Sequence, residues 1–243
     1  MKRLFLLATA AALALAPAAA SACSPAPGYR VPSNLELVSA AETIVLAKVV
    51  GGTAPSNDPA AVSITIRPLE AIKGDMPQGD IMLVGPGLAT IGGFQLSNPF
   101  EFREAHPNAY SGACNRYLFP LGTTALFFLR TDHEGMWAAA TGGAFTRWAE
   151  DVPDAQAPWV QLVRLYTVAA SLPEADRGPF LEDEREALLA RGGEPLAQLM
   201  ADDIAHQIAP AASLQDPVAA APEESTVEAM LKAMRQNAVE AGN

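Results

Sequence analysis

Two hydrophobic patterns divide this chain. From residue 43 to about 141 the apolar positions come in short continuous or alternating runs, and beyond Pro158 they recur every three or four residues. Thr43 to Val50, TIVLAKVV, is apolar and β-branched and predicts a strand stopped by Gly51-Gly52. Ala61 to Ile72 alternates, with Val62, Ile64 and Ile66 on one side and Ser63, Thr65 and Arg67 on the other, which predicts a half-buried strand. Pro68 has no N–H to give, so it predicts an edge or a bulge. The stretch KGDMPQGD at 73–80 is turn chemistry, and Ile81 to Val84 predicts a short strand. Leu118 to Leu129 and Met136 to Thr141, either side of Asp132-His133-Glu134-Gly135, predict a hairpin. Residues 85–113 are rich in Gly, Pro, Asn and aromatics and predict an elaborate loop.

In the second half, Val160, Leu162, Val163, Leu165 and Tyr166 fall at helical spacing, as do Phe180, Leu181, Leu188 and Leu189, then Leu196, Leu199, Met200 and Ile204. Residues 209–224 are Ala, Pro and acid-rich and read as a linker. Ser225-Thr226-Val227-Glu228 opens a short helix in 225–243, with a Ser/Thr cap and a following Glu. The expected fold class is α+β: about five strands forming a small β-barrel or sandwich over 23–150, followed by a helical extension over 151–208.

The first 22 residues change this picture. Lys2 and Arg3 precede an apolar run from Leu4 to Leu15, and Ala20-Ser21-Ala22 supplies a small-residue cleavage site, which reads as a secretory signal peptide over 1–22. The apolar run is shorter than the roughly 20 residues of a membrane span, so the expectation is an exported chain, periplasmic or extracellular. Removing it leaves 14 basic and 27 acidic residues, divided as 8 and 11 over 23–150 and 6 and 16 over 151–243. So acidic a surface repels phosphate backbones, and no nucleic-acid partner is expected.

Cys23 and Cys114 are the two cysteines, and in an oxidising compartment they make one intramolecular disulfide. Ala20-Ser21-Ala22-Cys23 is also a permissive lipoprotein box, and a lipidated Cys23 would anchor the chain in the cell envelope. Both uses stay open, as does a third, a mature N-terminus whose α-amine does chemistry.

Catalytic candidates are sparse. His106, His133 and His206 are scattered and read as solvated or capping residues. No H-E-x-x-H or G-x-S-x-G is present. Glu182-Asp183-Glu184 with Glu186 lacks the alternation and turn glycine of a calcium loop and reads as a solvated helix face. Gly85-Pro86-Gly87 and Gly92-Gly93 are not followed by G-K-[ST] and read as loop-shaping. The aromatics Phe94, Phe100, Phe102 and Tyr110 are expected either to plug one end of a barrel or to form a recognition surface, and Trp148 to bridge barrel and helices. No catalytic residue, chain-held metal or cofactor is expected.

In order along the chain come Cys23-Ser24-Pro25, AAETIVLAKVVGG, a strand ending LEAIKGD, and SGACNRYLFPLGTTALFFL. This order resembles the netrin-like module of the tissue inhibitor of metalloproteinases family and its bacterial relatives, over about 23–150. The chain departs from the family's usual C-x-C opening, having Ser21-Ala22-Cys23. The resemblance implies a five-stranded OB-type barrel tied at its N-terminus by Cys23–Cys114. It implies a non-enzymatic binding protein whose partner is a zinc metalloprotease. In the family the α-amine and carbonyl of the first cysteine chelate the protease zinc. That role would fall here on Cys23, with Ser24 entering the substrate pocket and Pro25 stiffening the edge. The alternative class is an envelope interaction or scaffold protein, lipid-anchored or not, whose acidic helical half does the binding.

Overall fold

A strand that is apolar at almost every position belongs between two covered faces, and the computed structural model places Thr43 to Val50 there. The structure describes residues 28–89 and 95–209. Its elements are α1 (Asn34–Ala40), β1 (Thr43–Gly52), β2 (Ser63–Lys73), β3 (Ile81–Val84), β4 (Gly87–Leu88), β5 (Leu118–Phe119), β6 (Thr124–Thr131), β7 (Trp137–Ala139), β8 (Ala149–Asp151), α2 (Pro158–Ser171), α3 (Glu174–Leu189) and α4 (Pro195–Ile208). The main sheet runs β3-β2-β1-β6-β7, all pairs antiparallel, with β8 pairing β6 beside β7. A short parallel pair, β4 with β5, stands apart.

Alternation along β1 and β6 sorts their side chains onto two faces. Val45, Ala47, Val49, Ala125, Phe127 and Leu129 join Ile64, Ile66, Ile81, Leu83, Phe119 and Trp148 on one side. Ile44, Leu46, Leu126 and Phe128 face the other way, against Trp159, Val160, Leu162, Val163 and Tyr166 of α2 and Met200 and Ile204 of α4. The helices are therefore half of one core with the sheet and not a body hung beside it. Trp148 is not the bridge that the sequence predicts: it lies on the face away from the helices with Phe119 and Phe127. Trp159 has that position, its ring 6.0 Å from both Phe102 and Phe128.

The α+β class holds, but no closed barrel is found among the described residues. The sheet curls enough to bring its edge strands β3 and β7 near each other without a ladder between them. Both are short, four residues in β3 and three in β7. Much of the bending comes from slips in the β1–β2 ladder, one of them between Leu46 and Ala47, opposite Pro68. The proline thus sits at a bulge, as its missing N–H predicts. β1 continues two residues past its predicted stop, because Gly52 lets the chains pass closely: a Cβ there would lie 2.5 Å from the Ser63 carbonyl.

α1 lies outside every sequence prediction. Ser33 caps it, its hydroxyl accepting from Glu36 N–H at 3.3 Å while the Glu36 carboxylate accepts from Ser33 N–H at 2.8 Å. At its far end the Lys73 ammonium donates to the carbonyls of Val38, Ser39 and Ala41, at 2.8, 3.3 and 2.6 Å. Gly74, at φ 74°, has no room for a side chain against the Glu42 carbonyl, where a Cβ would lie 2.7 Å away. The Lys-Gly pair that ends LEAIKGD thus locks α1 onto the end of β2. The predicted signal peptide, linker and C-terminal helix lie outside the described residues.

Candidate functional site

A left-handed backbone costs a residue with a Cβ about 1–3 kcal/mol and collects where the surroundings impose it. Among the described residues, two non-glycines adopt it, Cys114 at φ 59° and Phe145 at φ 56°. They are joined, since Phe145 N–H donates to the Cys114 carbonyl at 2.6 Å. The Thr146 hydroxyl fixes the same pair of loops, 3.1 Å from Asn115 Oδ1 and 3.1 Å from the Gly143 carbonyl. The N-terminal segment arrives here as well: the Tyr29 hydroxyl donates to the Ala144 carbonyl at 2.8 Å. A Cβ on Gly143 would stand 2.2 Å from that hydroxyl, so glycine admits the phenol. Tyr110 stacks on Phe145, centroids 4.9 Å apart and planes 22° apart, yet stays 56% exposed.

Beneath this edge runs a seam of buried polar side chains. Asp151 at the end of β8 takes Arg116 Nη2 on Oδ1 at 2.6 Å, while His106 Nε2 stands 3.3 Å from Oδ2. Ser97 N–H donates to Oδ2 at 3.0 Å, and Asp151 N–H returns a bond to Ser97 Oγ at 3.0 Å. Arg116 also donates to the Ala149 carbonyl at 3.1 Å and lies 4.1 Å over the Phe119 ring. Burial pushes the Asp151 carboxyl up, but the His106 N–H, the Arg116 charge and the Ser97 N–H outweigh it and hold the group down at about 2. From Ser97 the seam passes to Glu150, then to Arg147, whose Nε is 3.6 Å from Glu150 Oε1 and whose guanidinium lies 4.3 Å over Trp159. Arg147 in turn acts electrostatically on Asp203 of α4. Asp203 accepts from Tyr166 at 2.5 Å and from Asn34 at 3.1 Å, and burial lifts its carboxyl above the ordinary range.

Ser97, His106 and Asp151 have the side chains of a nucleophile–base–orienter set, but they are not wired as one. The Ser97 hydroxyl donates to Glu150 Oε2 at 2.5 Å. His106 Nδ1 accepts from Asn108 N–H at 3.0 Å, so its proton is on Nε2 and faces Asp151. No ring nitrogen is left to take a proton from the serine. The three groups instead clamp the 95–117 loop onto β8. His106 therefore caps the turn Pro107–Ser111, as one of its two predicted roles, but it is buried and not solvated. His133 is exposed, and Glu182 pairs with Arg185 on a helix face. Phe100 and Phe102 are buried, so within the predicted aromatic group Tyr110 alone is exposed among the described residues.

Of the residues singled out from the sequence, Cys114 stands at the centre of this edge, and no free thiol is found among the described residues. Cys23, Ser24, Pro25 and Phe94 lie outside them. Tyr29, Gly143 and Phe145 carried no signal in the sequence, because a left-handed phenylalanine and a glycine under a distant phenol have no local motif. Among the described residues, no group of three or more His, Cys, Asp or Glu is placed to hold a metal ion, and no helix is long and apolar enough to cross a membrane. No family model and no curated protein matches the chain.

Proposed function

We propose that this chain is an exported, non-enzymatic binding protein, netrin-like in the OB-type curl of its sheet, that engages a zinc metalloprotease through a mature N-terminus Cys23-Ser24-Pro25. The observation that carries the reading is the convergence of Tyr29, Cys114 and Phe145 on one edge, held in strained backbone by a buried polar clamp. Cys23 precedes Tyr29 by six residues, about 20 Å of fully extended chain at most. The Tyr29 hydroxyl bonds Ala144, whose neighbour Phe145 donates to the Cys114 carbonyl, and this proximity supports a Cys23–Cys114 disulfide. The bridge would close a long loop and stabilise the fold by about 4 to 5 kcal/mol before any strain is subtracted. The near approach of β3 and β7 supports the OB-type reading of the sheet.

The α-amine of Cys23 would be the working group. Its ordinary pKa near 8 leaves a useful neutral fraction at physiological pH, and with the adjacent carbonyl it can fill the open coordination position of a catalytic zinc. Cys114 and Phe145 would set its direction, and Ser24 would follow into the substrate pocket. The test is inhibition of a panel of zinc endopeptidases by the exported protein and by a variant with one alanine inserted before Cys23. The reading predicts inhibition that the insertion abolishes with the thermal midpoint unchanged. Equal inhibition by both proteins, or by neither, contradicts it.

A further inference from the structure

The stacked pair on this edge has a chemistry of its own. Phe145 holds a left-handed backbone that glycine would adopt without strain, as Gly135 does at φ 78°. Its ring stacks on Tyr110, which is more than half exposed. Tyr110 is carried by the turn Pro107–Ser111, which is rigid: His106 Nδ1 caps it, and Asn108 Oδ1 accepts from Tyr117 and Leu118 N–H, both at 3.0 Å. Partial burial is the largest influence raising the proton affinity of the Tyr110 phenol, and the Glu104 charge adds to it; a hydrogen bond with the Ala105 backbone opposes them, and Glu101 and Glu150 raise it by less. The Glu101 carboxylate accepts from the N–H groups of Arg103 and Glu104, at 2.6 and 3.0 Å, and so fixes the turn that exposes Glu104. Arg103, half-buried, is the cation of that turn.

We propose that Tyr110 and Phe145, with the exposed Glu104 of the neighbouring turn, form a recognition face for a cationic side chain, lysine or arginine, on the protein partner. The assignment rests on the reading of this edge as the binding surface and adds what that surface selects. The ring faces carry the negative part of the aromatic quadrupole, which attracts an ammonium or guanidinium. The Glu104 carboxylate, exposed and felt electrostatically by the Tyr110 phenol, adds a full negative charge. Because turn and rings are already fixed, little ordering is lost on contact. The acidic balance of the chain without residues 1–22, 27 acidic against 14 basic residues, draws such a partner in.

The test uses the full exported protein and short tetralysine and tetra-arginine amides as probes, with tetraglutamate as the control, followed by amide chemical shifts. The basic peptides are expected to shift the signals of residues 104, 110 and 145, and tetraglutamate to shift none of them. Tyr110→Leu should weaken the basic peptides roughly two- to fivefold, the loss of one exposed aromatic–cation contact, and Glu104→Gln by a smaller factor. Phe145→Gly should weaken them while its thermal midpoint stays level or rises, a split that a purely structural ring would not give. If Phe145→Gly fails to fold, Tyr110→Leu, checked for an unchanged spectrum elsewhere, decides alone. Shifts spread along the acidic surface of α3 in place of this edge, or undiminished binding by Tyr110→Leu, would overturn the assignment. A chain with alanine inserted before Cys23 should still bind the peptides, so failure here and failure of the zinc chelate are separate results.

Discussion

The face of the sheet under the helices and the N-terminal edge are built by opposite means. Under the helices, Ile44, Leu46, Leu126 and Phe128 meet Trp159, Val163 and Tyr166 in ordinary backbone. The dominant energy there is the removal of apolar surface from water. At the edge the backbone is left-handed at two non-glycines, an aromatic stays in solvent, and a seam of charges lies buried just below. A region that only had to be stable would have no use for these features. The difference teaches that the helix-covered face is held by apolar burial, whereas the strained backbone of the edge is held by a buried ionic and hydrogen-bonded clamp.

Truncation after Ala157 should have the largest effect. It removes α2 to α4 and uncovers Ile44, Leu46, Leu126 and Phe128, so cooperative unfolding by circular dichroism should be lost outright. A truncated chain that still melted cooperatively would mean that sheet and helices are separable after all.

Two substitutions should come next, of similar size but by different routes. Phe128→Ala leaves a cavity under the helices and should cost about 3 to 5 kcal/mol in urea unfolding. Asp151→Asn leaves the buried Arg116 without its counter-charge and should also cost about 3 to 5 kcal/mol at neutral pH. Acid tells them apart. The Asp151 carboxyl titrates at about 2 in the folded chain, below its unfolded value near 4. Its contribution is therefore fully present above about pH 4 and is lost as pH falls through 2. The gap between wild type and Asp151→Asn should narrow by about 2 kcal/mol over that window, while the gap to Phe128→Ala should not change. Ser33→Ala should be the smallest, about 1 kcal/mol for a lost cap on a seven-residue helix.

The strands were legible where each residue's own chemistry sets its place. Alternation in Ile64 to Arg67, the continuous run of β1 and the hairpin around Asp132 all lie in the sequence as they lie in space. α1 was not, although Ser33-Asn34-Leu35-Glu36 is a capping box, because seven residues are too few to show a period. That no ladder joins β3 to β7 among the described residues was hidden too, since pairing between edge strands leaves no local pattern in the sequence. Of the candidate site, Cys114 was visible because cysteine is rare here. Ser97, His106, Arg116 and Asp151 were not, because residues up to 54 apart in sequence meet only through the fold of the 95–117 loop.

The central proposal is a mature N-terminal Cys23 with a free α-amine, bridged to Cys114, and the intact mass of the protein expressed with residues 1–22, taken under non-reducing conditions, tests it most directly. The account predicts the mass of residues 23–243 less two hydrogens, with Cys23 and Cys114 recovered in one cross-linked peptide. A mass increased by a diacylglyceryl group, or a chain still carrying residues 1–22, would contradict it.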